Sequence, residues 1–451
     1  MSVDPVWTPG GGSGAAWNPD PAASSLPPRL TRPCRVGLLG FGVIGQAVAR
    51  SICERPKAGL RLTHILNRAD ARKKPEWIPA DVCWTHEVYD ILLSDVDVVV
   101  DLSPDSEQAL DWIRSAFEAG KSVVTASRDV VARRGPELLA LARSRGCQLR
   151  FEAAVGGPVP MVAGLRDGLA GDRLRSLVGI LNGACNYILN RIEWTGGGFA
   201  DALAEAGRLG LVSENPDDDM EGHDAAAKLS VLCGIAFGRQ ILVDEVPRQS
   251  IAPIAPIDFQ YAARLDCTIR PVACAERGSR GLTAWVGPAL VPRASMLAHL
   301  HGSQNILIAT GEATTQTGFF GVGAGGRATA VAVVSDLVAL ASTEPRADTW
   351  IPLPMRSHVV DADAESRRYV RFVVRDRPGI IAELATAFAS EAVSVEAVLQ
   401  EPPLGGAELP FVVTLDPCQQ AAFDRALARI VACDFHVEPP LGLRMLDPSM
   451  V

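Results

Sequence analysis

The chain has 451 residues, of which 48% are apolar, 21% charged and 6% aromatic, and its formal net charge is −9. That length carries roughly two to four domains, and the balance, rich in Ala, Val, Leu and Gly, belongs to a globular α/β protein rather than an all-β one. An acidic chain with no basic stripe of interleaved aromatics has no electrostatic reason to bind nucleic acid.

No run approaches the ~18 apolar residues of a membrane-spanning helix, which argues against a membrane partner. The N-terminus lacks the charged-then-apolar order of a secretory signal. The ten cysteines form no Cys-x-x-Cys pair. Reduced thiols and a cytoplasmic location are the expectation.

Residues 1–33 are dominated by Gly, Pro, Ala and Ser and read as a disordered tail. From Cys34 the pattern changes. Arg35–Leu39 reads as a short buried strand, followed by a glycine turn and a helix of small residues ending near Ile52. Further strands are expected at Leu60–Leu66, Val96–Leu102 and Ser122–Ala126, with a helix over Ser106–Glu118. Strands alternating with helices at this spacing pair in parallel, and strands that are apolar throughout have both faces covered. Residues 34–156 therefore read as a doubly wound, Rossmann-type nucleotide-binding domain.

The turn after the first strand is Gly40-Phe41-Gly42-Val43-Ile44-Gly45. In a G-x-G-x-x-G between strand and helix, the first glycine permits the turn and the second lets a pyrophosphate approach. The third lets strand and helix pack, and the helix N-terminus presents N–H groups to the anion. Alone the motif is weak; its strand–turn–helix setting points to a dinucleotide. The second strand ends in Asn67-Arg68, with Arg72, Lys73 and Lys74 close behind and no carboxylate placed for a ribose 2′-hydroxyl. A guanidinium at Arg68 suits a 2′-phosphate and leans the reading toward NADP over NAD. The alternative is a group of solvated surface cations.

Residues 157–345 mix helices and strands as an α+β domain. Gly207–Leu211 and Asp217–Gly222 read as loops, and Asp224–Phe237 as a strong helix with Lys228 one turn after Asp224. Residues 346–367 read as a linker. Residues 368–451 read as a ferredoxin-like βαββαβ unit, with strands Arg368–Arg375, Val393–Gln400, Leu409–Leu415 and Phe435–Val437. Its helices are expected at Ile380–Ser390 and Gln419–Val431. Histidines are scattered, and His299 and His301 point to different helix faces, so no zinc site is supported.

Several separated segments resemble the homoserine dehydrogenase family. They are Gly40–Gly45, Gly120–Arg128, Glu152–Pro160, Leu181–Leu189, Asp219–Leu229 and Gly321–Gly325. The resemblance implies NAD(P)-dependent reduction of L-aspartate 4-semialdehyde to L-homoserine, on the way to threonine and methionine, with residues 157–345 as a catalytic and dimerisation domain whose end returns to the cofactor domain. Lys228 matches the family's proton-donating lysine, a role a lysine can fill when a low-dielectric cleft draws its pKa down from about 10.4. Asp224 matches a substrate-binding carboxylate, with Asp219 beside it. Read without the family, Asp224 and Lys228 are an ordinary i,i+4 ion pair.

Glu152, Val155, Gly157 and Val159 correspond to the family's monovalent-cation site, where carbonyls and one carboxylate would suit sodium. A glycine turn with Glu152 hydrogen-bonded locally is the alternative. Thr125, Gly210, Gly321 and Gly323 fall where the family borders its cofactor. Two departures stand out. Arg128 replaces a lysine; it keeps the charge but cannot give up a proton. Ser213 stands where a substrate-binding glutamate is expected, with Glu214 one residue away. Cys185, in a place usually held by a small hydroxyl residue, reads as packing rather than a redox sensor. These departures leave open a related dehydrogenase on another small amino-acid carbonyl, or a weakly catalytic nucleotide-binding sensor.

The C-terminal unit resembles an ACT domain, most clearly over Arg375–Leu384. That implies side-by-side pairing, a homodimer or homotetramer, and an amino-acid effector, threonine in this family. A pairing module without a ligand fits the same residues.

Overall fold

The computed structural model describes residues 32–54, 59–67, 74–213, 215–278, 281–323, 325–342, 364–400 and 408–450. The expected tail through residue 31, the linker through residue 363, and Arg68, Arg72, Lys73, Glu214 and Ala324 lie outside them.

Six short strands form the first sheet: β1 Cys34–Leu39, β2 Leu60–Leu66, β3 Cys83–Thr85, β4 Val98–Asp101, β5 Ser122–Thr125 and β6 Leu149–Arg150. Their order is β3-β2-β1-β4-β5-β6, all parallel. This is the doubly wound order, with the chain reversing direction across the sheet between β1 and β4. Every residue of β4 is buried, as a strand covered on both faces requires. β3 escaped the sequence reading because it is three residues long and only Thr85 is buried.

One face of this sheet carries helix Val43–Glu54 and helix Gly326–Ser342, which share a core with Val36, Leu38, Val98 and Val100. The other carries helices Ser106–Glu118 and Arg128–Ser144. Their apolar side chains run without a break into those of helix His223–Phe237 and the strands beneath it.

The second sheet has nine strands: β7 Leu174–Ile180, β8 Cys267–Arg277, β9 Leu282–Pro292, β10 Gln304–Gly311, β11 Gln316–Val322, β12 Ser366–Arg375, β13 Val395–Gln400, β14 Glu408–Cys418 and β15 His436–Met445. The order is β11-β10-β7-β8-β9-β15-β12-β14-β13. The C-terminal unit has the expected βαββαβ order, but it is not a free-standing appendage. Arg444 and Met445 of β15 pair in parallel with Ala289 and Leu290 of β9, joining the two sheets into one.

Side chains extend the joint. Tyr369, Val412, Leu441 and Leu443 pack with Ile188, Phe259 and Tyr261 from the catalytic region. Buried Arg371 pairs with fully buried Asp258 at 2.8 Å, and the Tyr369 hydroxyl donates to the same carboxylate.

Several boundaries therefore change; Gly207 and Arg208, expected in a loop, end helix Phe199–Arg208, and the strand expected from Val393 starts at Val395. Ser366 and Arg367, expected in the linker, begin β12. Asp217–Met220, expected in a loop, belongs to a short helix opened by Pro216, which suits a first helical turn. The last strand is ten residues rather than three.

Candidate active site

The carboxyl ends of β1 and β4 meet at the turn of the order, the place where ligands bind in open α/β sheets. Gly40 leaves β1 with φ +109°, a conformation that favours glycine. A Cβ on Gly45 would lie 2.3 Å from the Gly40 carbonyl oxygen, so only glycine permits this helix to pack on its strand. A Cβ on Gly42 would meet nothing within 4 Å. The cradle is thus closed behind Gly45 and open in front of Gly42, which fits a pyrophosphate. Phe41 packs edge-on against Trp84 at 4.9 Å, while Val43 is exposed.

At the neighbouring strand ends, the Thr125 hydroxyl donates to Asp101 at 2.7 Å and accepts the Ser127 amide. Both side chains are fully buried, so Thr125 can face a cofactor only through its backbone. Burial pushes the Asp101 carboxyl up to about 6, although the Thr125 hydroxyl and Ser103 amide oppose the shift. A carboxyl raised in the folded state stabilises most when protonated, and that contribution is lost as pH rises from about 4 through about 6. Asp101→Asn should therefore flatten the fall of melting temperature over this interval. An unchanged slope in thermal melts would show that Asp101 does not set it.

Ser127 ends the loop, and Arg128 opens the next helix, its guanidinium reaching Asp224. Asp224 is 4% exposed and three donors converge on it. The Arg128 guanidinium takes Oδ1, while Lys228 Nζ at 2.8 Å and Asn182 Nδ2 at 2.9 Å share Oδ2. Burial alone would raise the Asp224 carboxyl, but Lys228 and Arg128 outweigh it and hold it below the usual carboxylate range. Arg128 is in turn held above its ordinary value by Asp224 and Asp129, against the effect of burial.

Lys228 also donates to the Leu181 carbonyl at 2.9 Å, leaving its third N–H uncommitted among the described residues. Asn182 donates to Asp219 at 2.8 Å and caps the next helix by accepting the Cys185 amide. Ser213 gives its amide to Asp219, and its hydroxyl lies between Asp219 and the Asn215 carbonyl, at 2.9 and 2.7 Å. Asp219 is therefore a nearly buried carboxylate satisfied by neutral donors, with no cation within 4 Å among the described residues.

Of the expected site residues, the fold brings Arg128, Asp219, Asp224 and Lys228 into one cluster. It adds Asn182, whose role the sequence reading did not assign, although Asn before a helix is a common capping signal. Cys185 is buried with its thiol donating to the Asp219 carbonyl, consistent with a packing position.

Gly321 and Gly323 come against the Glu152–Val159 loop. A Cβ on Gly157 would lie 2.6 Å from the Gly323 carbonyl oxygen, and one on Gly321 would lie 3.2 Å from Val159. Gly210 stands apart from that contact, in a left-handed turn with open space around it. The Glu152 carboxylate is turned inward, each oxygen accepting an amide, from Val162 and Ala163 at 2.8 Å. The local hydrogen bonding weighed against a cation ligand is thus present.

Three family models match the chain: homoserine dehydrogenase NAD-binding domain over residues 40–152, homoserine dehydrogenase over 160–338, and ACT domain over 368–432. A homoserine dehydrogenase of Mycobacterium tuberculosis is 37% identical over 387 residues, covering 82% of this chain and 87% of the relative. The crystal structure of a homoserine dehydrogenase from Thiobacillus denitrificans aligns with a TM-score of 0.85 and 30% identity, over 92% of this chain and 99% of the other. A hyperthermophilic archaeal homoserine dehydrogenase in complex with NADPH shares the fold at TM-score 0.59 and 24% identity, over 68% of this chain and 96% of the other. With its domains in this order and relatives matched over most of its length, the chain belongs to the homoserine dehydrogenase family.

Proposed function

We propose that the Asp224 cluster carries out the reduction of L-aspartate 4-semialdehyde to L-homoserine, with Lys228 giving the proton. The observation that carries this is the Lys228 ammonium. Two of its N–H groups are fixed on Asp224 and Leu181, and the third is uncommitted. A nicotinamide dinucleotide on the Gly40–Gly45 turn would supply the hydride. The aldehyde oxygen, gaining negative charge as the hydride arrives, takes its proton from Lys228. Asp219, which lacks a protein cation, receives the substrate's ammonium group. Arg128 balances Asp224 and holds its carboxylate in place without exchanging a proton.

NADPH is the expected donor, as in the archaeal neighbour's complex, and threonine the expected effector of the ACT unit in a homodimer or homotetramer. A monovalent cation at the Glu152–Val159 loop would rest on backbone carbonyls, because both Glu152 carboxylate oxygens already accept protein amides.

Purified protein with L-aspartate 4-semialdehyde and either NADPH or NADH tests the reaction through loss of nicotinamide absorbance. Turnover with higher kcat/KM for NADPH is expected; absence of turnover with both would overturn the reading.

Two glycine substitutions test the cradle separately. Gly45→Ala forces a methyl against a backbone oxygen and should destabilise the nucleotide-free protein by about 1–3 kcal/mol. Gly42→Ala enters open space. It should leave the nucleotide-free melting temperature unchanged while weakening NADPH about tenfold or more in a binding titration.

A further inference from the structure

The junction between the catalytic sheet and the ACT unit holds a cavity of about 870 Å³, lined in part by Trp285, Arg368, Gln420, Phe423, Leu427 and Arg444. It is lined from β9, β15 and the first residues of helix Gln420–Val431, and none of its lining residues belongs to the Asp224 cluster or to the Arg375–Leu384 turn. Two arginines converge there. Arg368 and Arg444 both donate to one neutral oxygen, Gln420 Oε1, at 2.8 and 2.6 Å.

Neither is within 4 Å of a carboxylate among the described residues, whereas Arg371 nearby is paired with Asp258. Arg368 is 3% exposed and its Nε is buried without a hydrogen-bond partner. Its guanidinium lies 4.9 Å from the centre of the Phe423 ring, and that of Arg444 lies 5.1 Å from the Trp285 ring. Asp424, an exposed side chain, accepts the Gln420 amide and acts on both guanidinium groups through its charge without an ion-pair contact. Burial and the charge of Arg368 together draw Arg444 down to about 10.

Placing two guanidinium groups together out of water is costly unless an anion joins them. Their planar forks, fixed on aromatic faces, suit a carboxylate or phosphate. We propose that this cavity is a binding site for a small anion, and that Arg368 and Arg444 clasp its carboxylate or phosphate group. The apolar walls from Trp285, Phe423 and Leu427 favour an organic carboxylate. The proposal does not rest on the assignment of the catalytic reaction.

The test is calorimetric titration of the full chain at constant ionic strength, with acetate, succinate and glutamate in one arm and inorganic phosphate in the other. Saturable binding is expected, weakened by about tenfold or more in Arg444→Gln and in Arg368→Met. Arg444 is only partly buried, so Arg444→Gln is the variant expected to keep the fold, checked by its near-ultraviolet circular dichroism. Saturable binding of phosphate alone, lost in the same variants, upholds the site and identifies a phosphate-bearing occupant. No saturable binding in either arm, or binding that Arg444→Gln leaves intact, overturns the proposal.

Discussion

Lys228→Ala should lower kcat by about a hundredfold to ten-thousandfold, the range a positioned proton donor contributes, while NADPH affinity stays near that of the parent enzyme. The folded protein should survive the change. Lys228 is a partner of Asp224 but not its only cation, since Arg128 holds the other oxygen. The lost bond to Leu181 is to a carbonyl that Asn305 also approaches, at 3.4 Å.

The rival role for Lys228 is charge balance alone. Lys228→Arg separates the two, because arginine restores the charge next to Asp224 but holds its proton too tightly to donate it. A proton donor predicts that the arginine variant is nearly as slow as the alanine one. Recovery of most of the turnover in Lys228→Arg would remove Lys228 from proton transfer.

What could be read before folding was what depends on short spacing. The Gly40–Gly45 turn, the alternation from Cys34 to Thr125, and the four-residue step from Asp224 to Lys228 are local, and period or backbone conformation decides them. The Arg128–Asp224 contact joins residues 96 positions apart, and nothing in a local pattern specifies it. Asn182 was visible as a capping residue, but its link to Asp219 and Asp224 needs the whole fold.

The reach of β15 was hidden for a different reason. The strand expected at Phe435–Val437 stops just short of Pro439 and Pro440, and proline cannot donate to a ladder. In the fold they fall where the register against β12 slips, between the Val373–Glu438 and Arg371–Leu441 pairs. A bulge tolerates the missing N–H groups there. The strand then continues to Met445 and meets β9, which turns the ACT unit from a tethered neighbour into part of the catalytic sheet.

Asp224→Asn should damage both stability and turnover, for two reasons that can be measured separately. The carboxylate is the shared counter-charge of Arg128 and Lys228, which are 29% and 15% exposed. Breaking a fully buried pair costs about 3–5 kcal/mol; the partial exposure of both cations brings the expectation to about 2–3 kcal/mol, read from denaturant unfolding. Turnover should fall by about a hundredfold or more, since both cations lose the group that orients them.

Asn182→Ala supplies the contrast. It removes a helix cap and the neutral amide that donates to two carboxylates, at a cost of about 2–3 kcal/mol, and leaves all four charges in place. If charge organises the site, Asn182→Ala retains more activity than Asp224→Asn. The reverse order would make the Asn182 amide, bridging Asp219 and Asp224, the element that fixes the geometry, with the Arg128–Asp224–Lys228 triad secondary to it.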